Sequence, residues 1–368
     1  MLNYSSWIEI DLKQFKKNIK TIRANIKKVR FCLCVKANAY GHGIIEIARA
    51  AQSEKVDYLA VASLLEGIKL REAKIKMPIL VLGTFHENQI KDLIDNDLEI
   101  TISSFFKARL LKEYCKKMGK KCKVHLKVDT GMRRIGVKVE TAFSLYNYLK
   151  EDKNFSLKGI FSHFACADIK DHPMNAIQIK IFEKFLKKIK PSKSIICHMT
   201  NTAALCNFKH DFYDMVRLGA LPFGCYSKDL PKRFSDIKSI FSVKSKVSYF
   251  KVVEKDQGIS YGHSFITKKP IRIVTIPIGY GDGYSRALSN IGEVLIRGRK
   301  FPIIGTICMD QFMVNIDNRE AFIGDEVVLI GRQENQEISI NKIAKLCKTI
   351  SYEILCSFNE RLPRVYIN

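Results

Sequence analysis

A lysine closes an apolar run, Phe31-Cys32-Leu33-Cys34-Val35-Lys36, and is followed by Ala37-Asn38-Ala39-Tyr40-Gly41-His42-Gly43. The run has the composition of a buried strand, where a charge is costly unless paired or neutralised. Desolvation favours the neutral amine, and a neutral lysine forms a Schiff base with an aldehyde such as pyridoxal phosphate. A strand-end lysine that carries its ammonium out to solvent fits the same residues. The rest of the chain has to decide between the two.

The elements that would position Lys36 repeat. Short apolar runs alternate with longer amphipathic stretches, and eight strands are expected, over 31–36, 56–63, 78–83, 98–103, 124–129, 157–163, 194–198 and 214–218. Eight sequential βα units argue for a closed (β/α)8 TIM barrel, with an open doubly wound sheet as the alternative. In a barrel the active-site groups come from the C-terminal ends of several strands. Lys36 ends the first, Lys127 lies in the fifth with Arg134 in the following loop, and His163 and His198 end the sixth and seventh. Asn201 and Thr202 open a helix, and Arg217 with Gly219 closes the eighth unit. A helix start and a glycine loop after the seventh and eighth strands are where barrels hold phosphate. Read alone, Thr202 is equally an ordinary helix cap.

Beyond about residue 230 strands continue without alternating helices: 241–253, 271–277, 293–297, 304–316 and 326–330. A helix over 339–348 then precedes two strand-like segments ending at Tyr366. The division expected is a barrel over 1–230 and a mostly β C-terminal domain over 231–368. Residues 1–12 alternate like a strand and are placed to pair with the second domain. That domain carries Ser260-Tyr261-Gly262-His263, Gly279-Tyr280-Gly281-Asp282-Gly283 and Cys308-Met309-Asp310, each of which also suits a tight turn or strand end.

Composition narrows the classes. The net charge of +25 comes mainly from lysine pairs such as Lys116-Lys117 and Lys187-Lys188, not from one Arg-rich, aromatic-interleaved block. It reads as a solvated surface and not as a nucleic-acid site. No apolar run reaches the ~18 residues of a membrane span. The eleven cysteines lie mostly in apolar runs without metal-ligand spacing, which suits reduced core residues of a cytoplasmic protein.

Eight motifs in order give the chain a resemblance to the alanine racemase family. They are VKANAYGHG at 35–43, HLKVDTGMRRIG at 125–136, SHFACAD at 162–168, HMTNTAA at 198–204, MVRLGA at 215–220, SYGHSF at 260–265, IPIGYGDGY at 276–284 and ICMDQ at 307–311. The resemblance implies a pyridoxal-phosphate enzyme that interconverts L- and D-alanine and supplies D-alanine for peptidoglycan. Lys36 would hold the cofactor and act as the base on one face of the substrate. Tyr261 would serve the other face from the partner subunit of a homodimer with shared active sites, opposite His163. A tyrosine base needs neighbours that stabilise its phenolate, because a phenol titrates near ~10. Arg217 is similar to the residue facing the pyridine nitrogen, and Arg134 to the one contacting the cofactor phenolate oxygen and the substrate carboxylate. Lys127 matches a lysine that is carbamylated in many members. Tyr40, Thr202, Gly219, Ala220 and Tyr352 align with phosphate-binding positions, Met309 with a substrate contact from the partner, and Tyr280 and Tyr352 with residues that narrow the access to the site.

Three positions depart from the family pattern: Asn38 stands where many members have aspartate, Arg133 replaces a common glycine, and Thr306 a frequent arginine. Two other readings compete. A racemase of the same fold could take serine or a broader range of amino acids. A non-catalytic pyridoxal-phosphate carrier would resemble only the first domain, so residues 231–368 with Tyr261 and Met309 count against it.

Overall fold

Each of the eight expected runs forms a strand in the computed structural model, which describes residues 4–208, 213–226 and 229–368. The strands are Arg30–Cys34, Tyr58–Val61, Ile79–Val81, Glu99–Ile102, Cys122–Asp129, Phe155–Phe161, Ile196–His198 and Met215–Leu218. They pair in parallel in chain order, and the eighth returns to the first with Met215 opposite Arg30. At the seam between the seventh and eighth, the Asp214 N–H donates to the Cys197 carbonyl and the Arg217 N–H to that of Thr200, each at 2.9 Å. The result is a nearly closed barrel wrapped by helices.

Strand alternation sorts the side chains. Phe31, Leu33, Leu59, Val61, Ile79, Val81, Ile100, Val124, Leu126, Val216 and Leu218 join the shell packed under the helices. Their alternate neighbours Cys32, Cys34, Tyr58, Ala60, Leu80, Ile196 and Met215 form a separate, smaller cluster. The same alternation carries Glu99, Thr101, His125, Lys127, His198 and Arg217 out of the apolar shell, and all six are buried. The barrel lumen therefore holds an unusual share of polar groups, each of which needs a partner.

The second sheet has ten strands. Ser6–Asp11 lies in it, antiparallel to Phe241–Lys246 and parallel to Arg364–Ile367, so the N-terminal strand and the C-terminal strand are neighbours. Asp11 ends that strand and caps the helix Leu12–Ile26, its Oδ1 accepting from the Gln14 N–H at 2.7 Å. One residue thereby turns the chain from the sheet into the barrel's outer ring.

The structure corrects several expected boundaries. Residues 241–253 form two strands, because the Val247 N–H bonds Asp325 and the Ser248 N–H bonds Thr275, moving the chain from one partner strand to another. Residues 304–316 are likewise split: Arg299–Ile304 ends at Gly305 (φ +74°), and Phe312–Asn315 resumes after a loop. Of the two strand-like segments expected between residue 348 and Tyr366 only the last is a strand, and Ser351–Ser357 is a helix whose Leu355 carbonyl lies where a Cβ on Gly41 would meet it at 2.3 Å. Contact with the lysine turn, and not local pattern, sets that helix's place. Among the described residues no helix is long and apolar enough to cross a membrane.

Candidate active site

The first strand stops at Cys34, so Lys36 lies two residues past its end and opens a short turn, Lys36–Tyr40. Ala37, Asn38, Ala39 and Tyr40 all have φ between 52° and 54°. Left-handed backbone costs non-glycine residues roughly 1–2 kcal/mol each, so the surroundings must hold it. Glu66 does so from the neighbouring unit, its Oε1 accepting from the Ala37 N–H at 2.6 Å and its Oε2 from the Ala62 N–H at 2.7 Å. Asn38 Oδ1 accepts from the Ile44 N–H at 2.9 Å. A neutral carbonyl fills that acceptor role, and asparagine tolerates αL, so the departure from aspartate leaves the turn intact. Buried His42 donates from Nδ1 to the Ala39 and Tyr40 carbonyls, and burial draws its pKa down to about 4, keeping it neutral. Arg364 closes the turn from the C-terminal strand, donating from Nε to the Gly41 carbonyl at 3.1 Å.

Beyond the seventh and eighth strands the loops form a cradle. Asn201 caps the helix Thr202–Asn207, Oδ1 accepting from the Ala204 N–H at 2.9 Å, which leaves Thr202 free of the capping role. Thr202 Oγ1 instead accepts from the Gly219 N–H at 3.3 Å. A Cβ on Gly219 would meet the Tyr40 hydroxyl at 2.3 Å, so only glycine admits that hydroxyl. Tyr40 packs edge-on against Tyr352 with centroids 6.0 Å apart, and Ala220 is buried beside the loop. Two hydroxyls and a backbone N–H thus converge where barrels bind phosphate.

Arg217 is buried, and both of its terminal nitrogens are engaged. Nη1 donates to His198 Nδ1 at 2.7 Å, and Nη2 to the Ser162 carbonyl at 2.7 Å, the Met199 carbonyl at 3.3 Å and His163 Nδ1 at 3.3 Å. His163 lies two residues past the sixth strand. Its pKa is held well below the ordinary range, first by burial and then by Arg217, Arg134, Lys127 and Lys36. The residues expected on one rim therefore surround one histidine. Lys127 is buried over the Phe161 ring, and desolvation, with Arg217 and Arg134 adding to it, brings its pKa down to about 8.

Arg134 is exposed, as is Arg133 beside it. Arg133 has φ +55° and donates its N–H to Asp129 Oδ1 at 3.1 Å. Glycine would adopt this conformation without strain, although it loses more freedom on folding. Arg133→Gly is expected to stabilise the protein by about 0.5–1 kcal/mol, read as a higher urea midpoint at unchanged m-value.

Tyr261 is not among the groups surrounding His163. It is 73% exposed and lines a cleft of about 790 Å³ built from residues between Tyr249 and Met313, including Cys308 and Met309. Thr306 pins its backbone: Thr306 Oγ1 donates to the Tyr261 carbonyl at 3.0 Å, and Ser260 Oγ donates to the Thr306 carbonyl at 2.6 Å. That accounts for a threonine where an arginine is frequent. Met309 and Tyr280 are exposed nearby, tied together by the Tyr280 N–H to the Cys308 carbonyl and the Gly281 N–H to that of Met309.

Glu66, His42, Arg364, Glu99 and His125 were not singled out by sequence. His125 carried a usable signal, since it stands two residues before Lys127 and strand alternation puts both in the lumen.

The fold and this rim define a pyridoxal-phosphate-dependent enzyme of the barrel type, and the Tyr40–Thr202–Gly219 cradle and buried Arg217 suit the cofactor's phosphate and ring. The chain belongs to the alanine racemase family: residues 10–227 match its N-terminal domain and 240–366 its C-terminal domain. It is 38% identical to alanine racemase 2 of Caldanaerobacter subterraneus subsp. tengcongensis, over 98% of this chain and 94% of that one. Its structure is similar to that of an alanine racemase of Clostridium difficile 630, with TM-score 0.95 at 37% identity, covering 100% of this chain and 97% of the other. It is also similar, with TM-score 0.88 at 26% identity, to the Bartonella henselae alanine racemase with covalently bound pyridoxal phosphate, covering 99% of this chain and 100% of that one.

Proposed function

We propose that this chain interconverts L- and D-alanine with pyridoxal phosphate, as a cytoplasmic homodimer whose two active sites each draw on both subunits. The observation that carries the reading is the buried Arg217, bonded to His163 and His198, beside the Tyr40–Thr202–Gly219 cradle at the barrel rim, in a chain related end to end to alanine racemases. We divide the chain into 1–230 and 231–368, with Ser6–Asp11 assigned to the second sheet by its pairing with Phe241–Lys246.

Pyridoxal phosphate supplies an electron sink that acidifies the substrate Cα–H. Lys36 would hold the cofactor until the substrate amine takes its place, and the freed Lys36 amine would then remove the proton from one face of Cα. Tyr261 of the partner subunit returns a proton to the other face. Arg217 can only donate, so His163 Nδ1 accepts from it and the proton of neutral His163 sits on Nε2, available to stabilise a phenolate. Arg217, permanently charged and surrounded by acceptors, keeps the pyridine nitrogen unprotonated and limits side reactions. Arg134 receives the substrate carboxylate. Lys127, part neutral near pH 8, is suited to add carbon dioxide and become an anion that orients Arg134. Tyr40, Thr202, Gly219 and Ala220 hold the phosphate, with His198 and Asn201 positioning the loops. Tyr280, Tyr352 and the partner's Met309 narrow the access toward a methyl side chain. A shared site is supported by Tyr261 lying exposed with Tyr249 and Met309 along one open cleft of the second domain.

Solvent deuterium exchange at Cα across a panel of amino acids, with borohydride trapping and peptide mapping, tests this. Alanine is expected to exchange and racemise fastest, with label on Lys36. Label on another lysine would overturn the assignment, and faster turnover of serine would overturn the substrate.

A further inference from the structure

Arg217 does not end its hydrogen bonding at His198. His198 Nε2 lies 3.0 Å from His125 Nδ1, and His125 Nε2 lies 2.6 Å from Glu99 Oε2. All four side chains are buried in the barrel lumen. Gly159 of the sixth strand makes the crossing possible, since a Cβ there would meet His125 Nδ1 at 2.3 Å. Phe161 stacks on His198 at 4.8 Å with ring planes 3° apart, and Tyr58 meets His125 edge-on at 6.4 Å, so neither ring is free to turn.

The donor inventory permits one arrangement of protons. A guanidinium only donates, so His198 Nδ1 is bare and His198 carries its proton on Nε2. That proton is donated to His125 Nδ1, which must also be bare. The proton of His125 is then on Nε2 and is donated to Glu99 Oε2. A second proton on His125 would need His198 to lose its last one, so the relay runs in one direction only.

We propose that Glu99 is a positioning residue for Arg217: as the terminal acceptor of His125 Nε2–H it holds the His125 and His198 rings in place, so that the bare nitrogen of His198 stays aimed at Arg217. The inference rests on the role given to Arg217 above. It also explains a buried carboxylate four strands from the arginine it serves. The direct acceptors of the guanidinium are two carbonyls and two neutral histidines, and the relay links it through one of them to a carboxyl group.

The test is side-chain ¹⁵N NMR of the histidines in the cofactor-loaded enzyme, with kinetics of Glu99→Ala and Glu99→Gln. The wild type is expected to show both His125 and His198 as neutral Nε2–H tautomers. In Glu99→Ala, His125 Nε2–H loses its acceptor, so its ¹H and ¹⁵N signals should shift, and kcat should fall about tenfold at little-changed KM, the size of a lost buried hydrogen bond. Glu99→Gln keeps an acceptor oxygen and should restore most of both. A wild-type signal from an Nδ1–H or doubly protonated His125 or His198 overturns the proposal, as does a Glu99→Ala enzyme with an unchanged His125 Nε2–H signal and unchanged kcat. If Glu99→Ala does not fold, the wild-type spectrum decides alone. Borohydride label away from Lys36 would remove the assigned reaction and leave the tautomers to judge the relay.

Discussion

Lys36→Ala is expected to lower racemisation by at least about four orders of magnitude, because it removes both the covalent hold on the cofactor and one acid–base group. The fold should survive. The Lys36 side chain makes no hydrogen bond or ion pair among the described residues, and its turn is held through Ala37, Asn38 and His42. The thermal midpoint should therefore move by no more than a few degrees, as for substitutions outside the core. A small primary amine added to the variant should recover part of the Cα proton exchange. Activity within about tenfold of wild type would sink the assignment, since a lost covalent base cannot cost so little. Lys127 would then be the next candidate, buried and with its pKa already brought to about 8.

Tyr261→Phe should lower racemisation by roughly 10²–10⁴-fold, the usual contribution of a positioned acid–base group. The loss must be equal in both directions, because mirror-image substrates have equal energies. Hydrogen exchange should not be symmetric. The enantiomer presenting its Cα–H to Lys36 should still exchange with solvent, while the other should not. If Tyr261 acts across the subunit boundary, co-expressing Lys36→Ala with Tyr261→Phe chains restores activity, because one site of each mixed dimer has both native groups. Random pairing gives about a quarter of wild-type activity. A mixture as inactive as its parents, with mixed dimers demonstrated, would place Tyr261 in the same subunit's site. The 73% exposure of Tyr261, and its absence from the groups acting on His163, are why the shared site is expected.

The alternation of short apolar runs with amphipathic stretches was enough to find all eight barrel strands, because a strand buried on both sides and followed by an amphipathic helix leaves a strong local pattern. Strand ends then located Lys36, Lys127, His163, His198 and Arg217, and the ordered motifs assigned the family. What local pattern could not supply was anything set by neighbours distant in sequence. The helix at 351–357 lies where a strand-like segment was expected because its packing partner, the turn at Gly41, lies more than three hundred residues earlier. The left-handed run from Ala37 to Tyr40 violates local preference and persists because Glu66, Asn38, His42 and Arg364 hold it. Nothing about Glu99 in its own segment marks it, and its relay to Arg217 exists only once strands four through eight curl round to face one another. The sequence by itself thus determined the barrel, its reactive rim and the family. Tertiary structure alone decided which lumen groups meet, which protons they carry, and that Tyr261 faces outward, because barrel closure and register, not spacing along the chain, bring those groups within hydrogen-bonding distance.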